Sequence, residues 1–218
     1  MMTMKIYHYS KILNVISGSF FELIIENPFE YYFLGKKIID CDDTAITLYD
    51  GDIKENGKNI LVIQNLFDID PNSKKNLNVA YKKISISCSN EMVNRLISDI
   101  NKKTYDLFDL ISQDFDASIT YETDVKLIDL LGLYNFRYNL CSNLFIENFV
   151  SFIKASLQNT NFKIVITFNL FDFIDEENYR ILKKEFEYMN LALLNVSSKK
   201  STKSVDERII IDNDLCEI

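Results

Sequence analysis

Six lysines and four carboxylates are the groups in this 218-residue chain whose types and spacing could do chemistry. Lys74 and Lys75 precede Lys82 and Lys83 by seven or eight residues, so on a helix the two pairs project from nearly one side. Lys102 and Lys103 add a second basic point on a later helix. Converging ammonium groups could hold a polyanion. On pattern alone, a solvated helix face is the favoured reading. Asp114, Asp116, Glu122 and Asp124 crowd one break between helices. Hard oxygen ligands at such a break suit calcium. No EF-hand spacing is present, so on pattern alone a solvated acidic loop is the favoured reading.

Other chemistries lack their residues. A phosphate-binding loop needs glycine so that backbone N–H groups can close on the phosphate. The loop over residues 64–75 carries Ser73, Lys74 and Lys75 but no glycine, and its Asp68 and Asp70 would repel a phosphate. A working ATP site is not expected there. His8 is the only histidine, with no nearby serine or cysteine arrangement to make a triad. Cys41, Cys88, Cys141 and Cys216 are scattered without a Cys-x-x-Cys, which reads as reduced thiols in a cytosolic protein. No motif makes a positive case for an enzyme.

Positioning these groups falls to long elements, because glycine (5) and proline (2) are scarce while 47% of residues are hydrophobic. No apolar run approaches the roughly 20 residues needed to span a bilayer. The N-terminus has no apolar core of the kind a signal peptide carries. A net charge of −8 argues against a whole-surface nucleic-acid binder but leaves room for a local basic lining. The apolar run at residues 60–63 reads as a strand buried on both faces. Asp70 is then expected as an N-cap, with Pro71 at the first helical position. Residues 18–26 read as a strand, and Asn27-Pro28 as the cap and first turn of a helix to about residue 39. Residues 45–49 form a short strand, followed by turn dipeptides at Asp50-Gly51 and Asn56-Gly57.

Val93, Leu96, Ile97, Ile100, Leu107, Phe108, Ile111 and Phe115 recur at helical spacing. A short strand is expected at residues 118–121. A helix at 125–131 is expected to end at Gly132, and another to be capped by Ser142. Residues 163–168 read as a second buried strand, and Asp175 as the cap of a helix with Tyr179, Leu182, Phe186 and Met189 inward. Strands at 191–196 and 208–211 flank an expected flexible loop. The class is therefore α/β. A discontinuous α/β head (1–70 and 160–218) is expected to carry an inserted helical leg (71–159).

Several motifs then resemble one family. They are Asp70-Pro-Asn-Ser-Lys-Lys with Tyr81-Lys-Lys, and Lys163-Ile-Val-Ile-Thr-Phe-Asn-Leu followed by Asp175-Glu-Glu. Val125-Lys-Leu-Ile-Asp-Leu-Leu-Gly-Leu and the tail Ile209-Ile-Ile-Asp-Asn-Asp-Leu-Cys-Glu-Ile218 belong with them. In this order they look like the Csn-two family of CRISPR-associated proteins from type II-A systems. The resemblance implies a P-loop-like head without a functional nucleotide loop, plus the helical leg. It implies a cytoplasmic homotetrameric ring on double-stranded DNA, preferring free ends, with calcium near the hinge. It also implies a non-catalytic role in spacer acquisition beside CRISPR integrase and effector nuclease proteins. Carried over by position, Lys74, Lys75, Lys82 and Lys83 are candidates for the channel lining. Asp114, Asp116, Glu122 and Asp124 fall in the acidic hinge, whereas Lys102 and Lys103 rest on charge pattern only. Two readings from other classes stand beside this one: a small cytosolic nucleotide-binding enzyme, and a protein-binding scaffold without DNA contact.

Overall fold

The computed structural model describes residues 2–6, 9–55, 59–113, 120–122, 124–139, 144–158 and 160–218. His8, Asn56-Gly57, Asp114, Asp116, Cys141 and Ser142 lie outside the described residues, as do 118 and 119 of the expected short strand. The chain divides into two compact units, Met1–Asp70 with Cys141–Ile218, and Pro71–Leu140.

The first unit is a mixed α/β structure built on two sheets. Strands β1 (Met2–Ile6), β2 (Ile12–Val15), β4 (Ile46–Asp50) and β5 (Ile53–Glu55) form an antiparallel sheet in the order β2-β1-β4-β5. In β1 the side chains of Met4 and Ile6 are buried and that of Lys5 is exposed, the alternation of a strand with one wet face. Gly51 turns the chain between β4 and β5 with a φ of +60°. Positive φ at the first of two loop residues is what a tight hairpin of this kind demands, and glycine supplies it without strain.

The larger sheet joins β6 (Ile60–Ile63), β7 (Ile164–Phe168), β8 (Ala192–Ser197), β3 (Phe20–Ile25) and β9 (Glu207–Ile211), all parallel, in the order β6-β7-β8-β3-β9. Every residue of β3 and β8 is buried. The run 60–63 is an edge strand, and three of its four residues are only half-buried. A short apolar run does not say whether a strand is central, and among the described residues this one has a neighbour on one side alone.

Alternation along these strands feeds two cores. On one face Phe21, Leu23, Ile166 and Leu194 pack with Leu34 and Ile38 of helix α1 (Pro28–Ile39) and with Met4, Ile6 and Leu48 of the antiparallel sheet. On the other, Phe20, Val165 and Leu193 meet Phe149 and Ile153 of α5 (Phe145–Leu157) and Leu182 and Phe186 of α6 (Glu176–Tyr188). Helix α5 thus belongs to the α/β unit, not to the leg expected to run to residue 159. It starts behind Leu144, with no side-chain cap.

The second unit contains α2 (Lys74–Ser87), α3 (Glu91–Gln113) and α4 (Leu127–Leu133). The cap of α2 is Ser73, which accepts from Asn76 N, three residues beyond the expected Asp70. The intervening Asn72 is committed elsewhere: its amide pairs both ways with the backbone of Tyr138, at 2.8 and 3.1 Å. Asn101 on α3 clamps Val125 in the same way, at 3.1 Å each. Tyr81 donates to Phe136 O at 2.7 Å. Gly132 lies inside α4, and Asn135 takes the left-handed closing position at φ 49°.

Candidate functional site

Lys74, Lys75, Lys82 and Lys83 all stand exposed on α2. Asn76, Ala80 and Tyr81 are that helix's buried side, which leaves the lysines to solvent. Among the described residues none of the four lysines is in an ion pair. Residues 71–90 hold these four lysines and no acidic residue. Lys102 and Lys103 on α3 are exposed too, but Asp99 and Asp106 lie three or four residues away along the helix. At that spacing the aspartates offset the positive field. The helical unit carries nine basic and nine acidic residues, so the chain's whole excess of negative charge belongs to the α/β unit.

At the acidic break, Glu122 and Asp124 are exposed, and Asp114 and Asp116 lie outside the described residues. Among the described residues no group of three or more histidine, cysteine or carboxylate side chains converges as a metal site. Tyr121, beside them, donates its hydroxyl to Asp109, which holds its proton up to about pH 12.

The parallel sheet aligns a polar row inside the α/β unit. Register places Thr167, Asn195, Glu22 and Arg208 side by side on β7, β8, β3 and β9. The Glu22 carboxylate is fully buried and accepts from Arg208 Nε at 2.6 Å and from Ser201 N at 3.0 Å. Arg208 also donates to the carbonyl of Lys203 at 3.1 Å. Tyr179 donates to Ser204 O at 2.6 Å, and burial foremost pushes its hydroxyl pKa upward. Lys203 is itself buried, with its ammonium 5.9 Å above the Tyr179 ring. The segment expected as a flexible loop is therefore pinned. The only sequence signal for this network is a single acidic residue within Phe20-Phe21-Glu22-Leu23-Ile24-Ile25 and one arginine ahead of Ile209.

The strand-to-helix turns of this unit are closed to phosphate. After β3, Asn27 Oδ1 accepts from Phe29 N at 3.0 Å and Glu30 N at 3.2 Å. Those are the N–H groups a bound anion would use. Ahead of α6, Asp175 takes Asn178 N at 2.8 Å, and Glu176 and Glu177 follow. Neither turn contains glycine.

A cavity of about 400 Å³ opens at the carboxyl edge of the parallel sheet. It lies between α1 and the ends of β6 and β7. Tyr31, Tyr32 and Phe168 give it aromatic walls, with Gly35 and Ile39 beside them and Gln64, Lys36 and Asp40 adding polar groups. Asn169, held at φ 55°, donates its side-chain amide to Tyr31 Oη at 3.2 Å. Burial, the larger effect, pushes the Tyr31 pKa up against the hydrogen bond from Asn169, which lowers it.

Cys41, Cys88 and Cys216 are free thiols. No helix among the described residues is long and apolar enough to cross a membrane. No family model and no curated protein matches this chain. A solved structure described as a putative ABC transporter (ATP-binding protein) from Pyrococcus furiosus is similar to it over 95% of each chain, at 12% identity and a TM-score of 0.42.

Proposed function

We propose that this chain is a non-catalytic, ring-forming protein that binds double-stranded DNA regardless of sequence and acts in the cytoplasm in type II-A CRISPR spacer acquisition. In this reading the α/β unit is a P-loop-like head that has lost its nucleotide loop. The protein assembles as a homotetramer beside the integrase and effector nuclease of its system. The family resemblance motivates the reading. The observation that carries it is the α2 surface, where four exposed lysines stand outside any ion pair among the described residues and the helix itself holds no acidic residue, on a chain of net charge −8. Lys102 and Lys103, offset by Asp99 and Asp106, contribute less. Two further observations support it. The glycine-free, self-capped turns disfavour a nucleotide. Leu96, Ile100, Leu107, Leu110 and Ile111 of α3 are exposed, the kind of apolar surface that assembly covers.

Binding through phosphates weakens steeply with salt, by roughly 0.9 logarithmic units per tenfold salt for each phosphate neutralised. Lys75→Ala with Lys82→Ala should flatten that slope by roughly one unit per lysine removed. Lys102→Ala with Lys103→Ala should change it less. An unchanged slope in the first variant clears α2 of the role. Purified protein should leave duplex uncut and ATP unhydrolysed.

Calcium completes the proposal, held by Asp114, Asp116, Glu122 and Asp124. Carboxylates crowded at one break repel, and an oxygen-ligated cation relieves them. Added calcium should raise the melting temperature, and Asp116→Asn with Asp124→Asn should remove most of that gain. Identical melting with calcium and with chelator rules the ion out.

A further inference from the structure

We infer that the cavity at the carboxyl edge of the parallel sheet is a binding site for an uncharged heteroaromatic ring of the nucleobase type. Carboxyl edges of parallel strands are where α/β folds place ligands, and about 400 Å³ is in the usual range for a small one. The walls select a flat, apolar-faced guest. Tyr31, Tyr32 and Phe168 offer aromatic surface, and Gly35 keeps the space open because a side chain there would project toward Phe168. The Tyr31 wall is fixed in place by Asn169.

The polar groups select the guest's edge. Gln64, exposed directly after β6, has an amide with a donor and an acceptor on one plane, the complement of a base edge. It makes no other hydrogen bond among the described residues. The same groups argue against a phosphate. The cavity runs along α1 from Tyr31 to Asp40, so the negative end of the helix and a carboxylate lie beside it. Lys36 is the one cation among the described lining residues. The site therefore favours the base or nucleoside over the nucleotide, and needs no lysine of α2. Either a free nucleoside or an unpaired base in a DNA strand has this chemistry.

The test is calorimetric titration of the full chain with adenosine, guanosine, cytidine and thymidine, with ATP and toluene as comparators. A second arm compares duplexes with and without unpaired end bases. Saturable nucleoside binding is expected, insensitive to salt and no tighter for ATP. Gly35→Leu, which fills the cavity, should weaken it by about tenfold or more, the scale of a lost stacking contact. Gln64→Ala, on an exposed residue that leaves folding intact, should weaken it and blur discrimination among bases. Affinity gained only from unpaired end bases, and lost in Gln64→Ala, supports the site with DNA as its source. Two results overturn it: no binding in either arm, or toluene matching the nucleosides with Gln64→Ala silent. Loss of salt-dependent duplex binding in the α2 variants bears on the lysines alone and leaves this site standing.

Discussion

Glu22 shows how much a single residue can organise in this molecule. Its carboxylate has no solvent of its own and depends on Arg208 and the Ser201 amide. A buried ion pair is costly to break from one side, because the remaining charge is stranded. Glu22→Ala should therefore destabilise the α/β unit by about 3–5 kcal/mol, read from urea unfolding. Glu22→Gln keeps the shape and one acceptor and should cost less. If Glu22→Ala unfolds at the wild-type urea midpoint, the pair is not holding residues 198–206. Local caps were the most legible feature at this scale. Asn27 and Asp175 cap α1 and α6 as their sequences indicate, because the caps act on neighbouring N–H groups. Asp70 loses its expected place to Ser73, since Asn72 is drawn to Tyr138, 66 residues away, and no local rule can foresee that.

Helix endings explain how a chain with five glycines still turns sharply. Helices α1, α4 and α6 each close with a left-handed residue, and none of the three is glycine: Cys41, Asn135 and Asn190 have φ of 53°, 49° and 56°. In α6, Asn190 N bonds Glu187 O at 3.1 Å and Leu191 N bonds Phe186 O at 2.9 Å, the paired bonds of a Schellman ending. Asparagine tolerates this conformation and glycine is at ease in it. Asn190→Gly should be neutral or stabilising, and Asn190→Val should lower stability by about 1–2 kcal/mol. Equal melting temperatures for the two variants would show that the ending carries no strain. The same fact limits legibility, because Gly132 looks like a stop signal and is not one. No strand is expected at residues 2–6, although Met4 and Ile6 alternate there with Lys5, and the edge position of β6 depends on partners distant in sequence. Helix α5 is misleading because its phenylalanines fit any apolar neighbour. Its buried Ile146, Val150 and Ala155 widen the contact surface to that of a core helix.

At the scale of the whole molecule, the question is how a chain of net charge −8 could hold DNA at all. The negative excess lies in the α/β unit, while the helical unit is balanced overall and locally basic along α2. Duplex DNA carries a charge about every 1.7 Å, so a binder needs many convergent cations and a way to turn its carboxylates outward. One copy offers four lysines on one helix. Repetition around a closed ring would multiply them facing one channel, and the contacts would be to phosphates, which carry no sequence information. A closed ring has a topological consequence that an open clamp lacks: it loads only over an end. Linear duplex should bind, and a covalently closed circle of the same sequence should not until it is cut once. Blocking both ends of the linear duplex with bulky adducts should abolish loading without touching the phosphates. Equal affinity for linear and closed circular DNA would rule out threading and leave α2 as an open basic surface. Binding of neither form at low salt would leave the lysines as a solvated face.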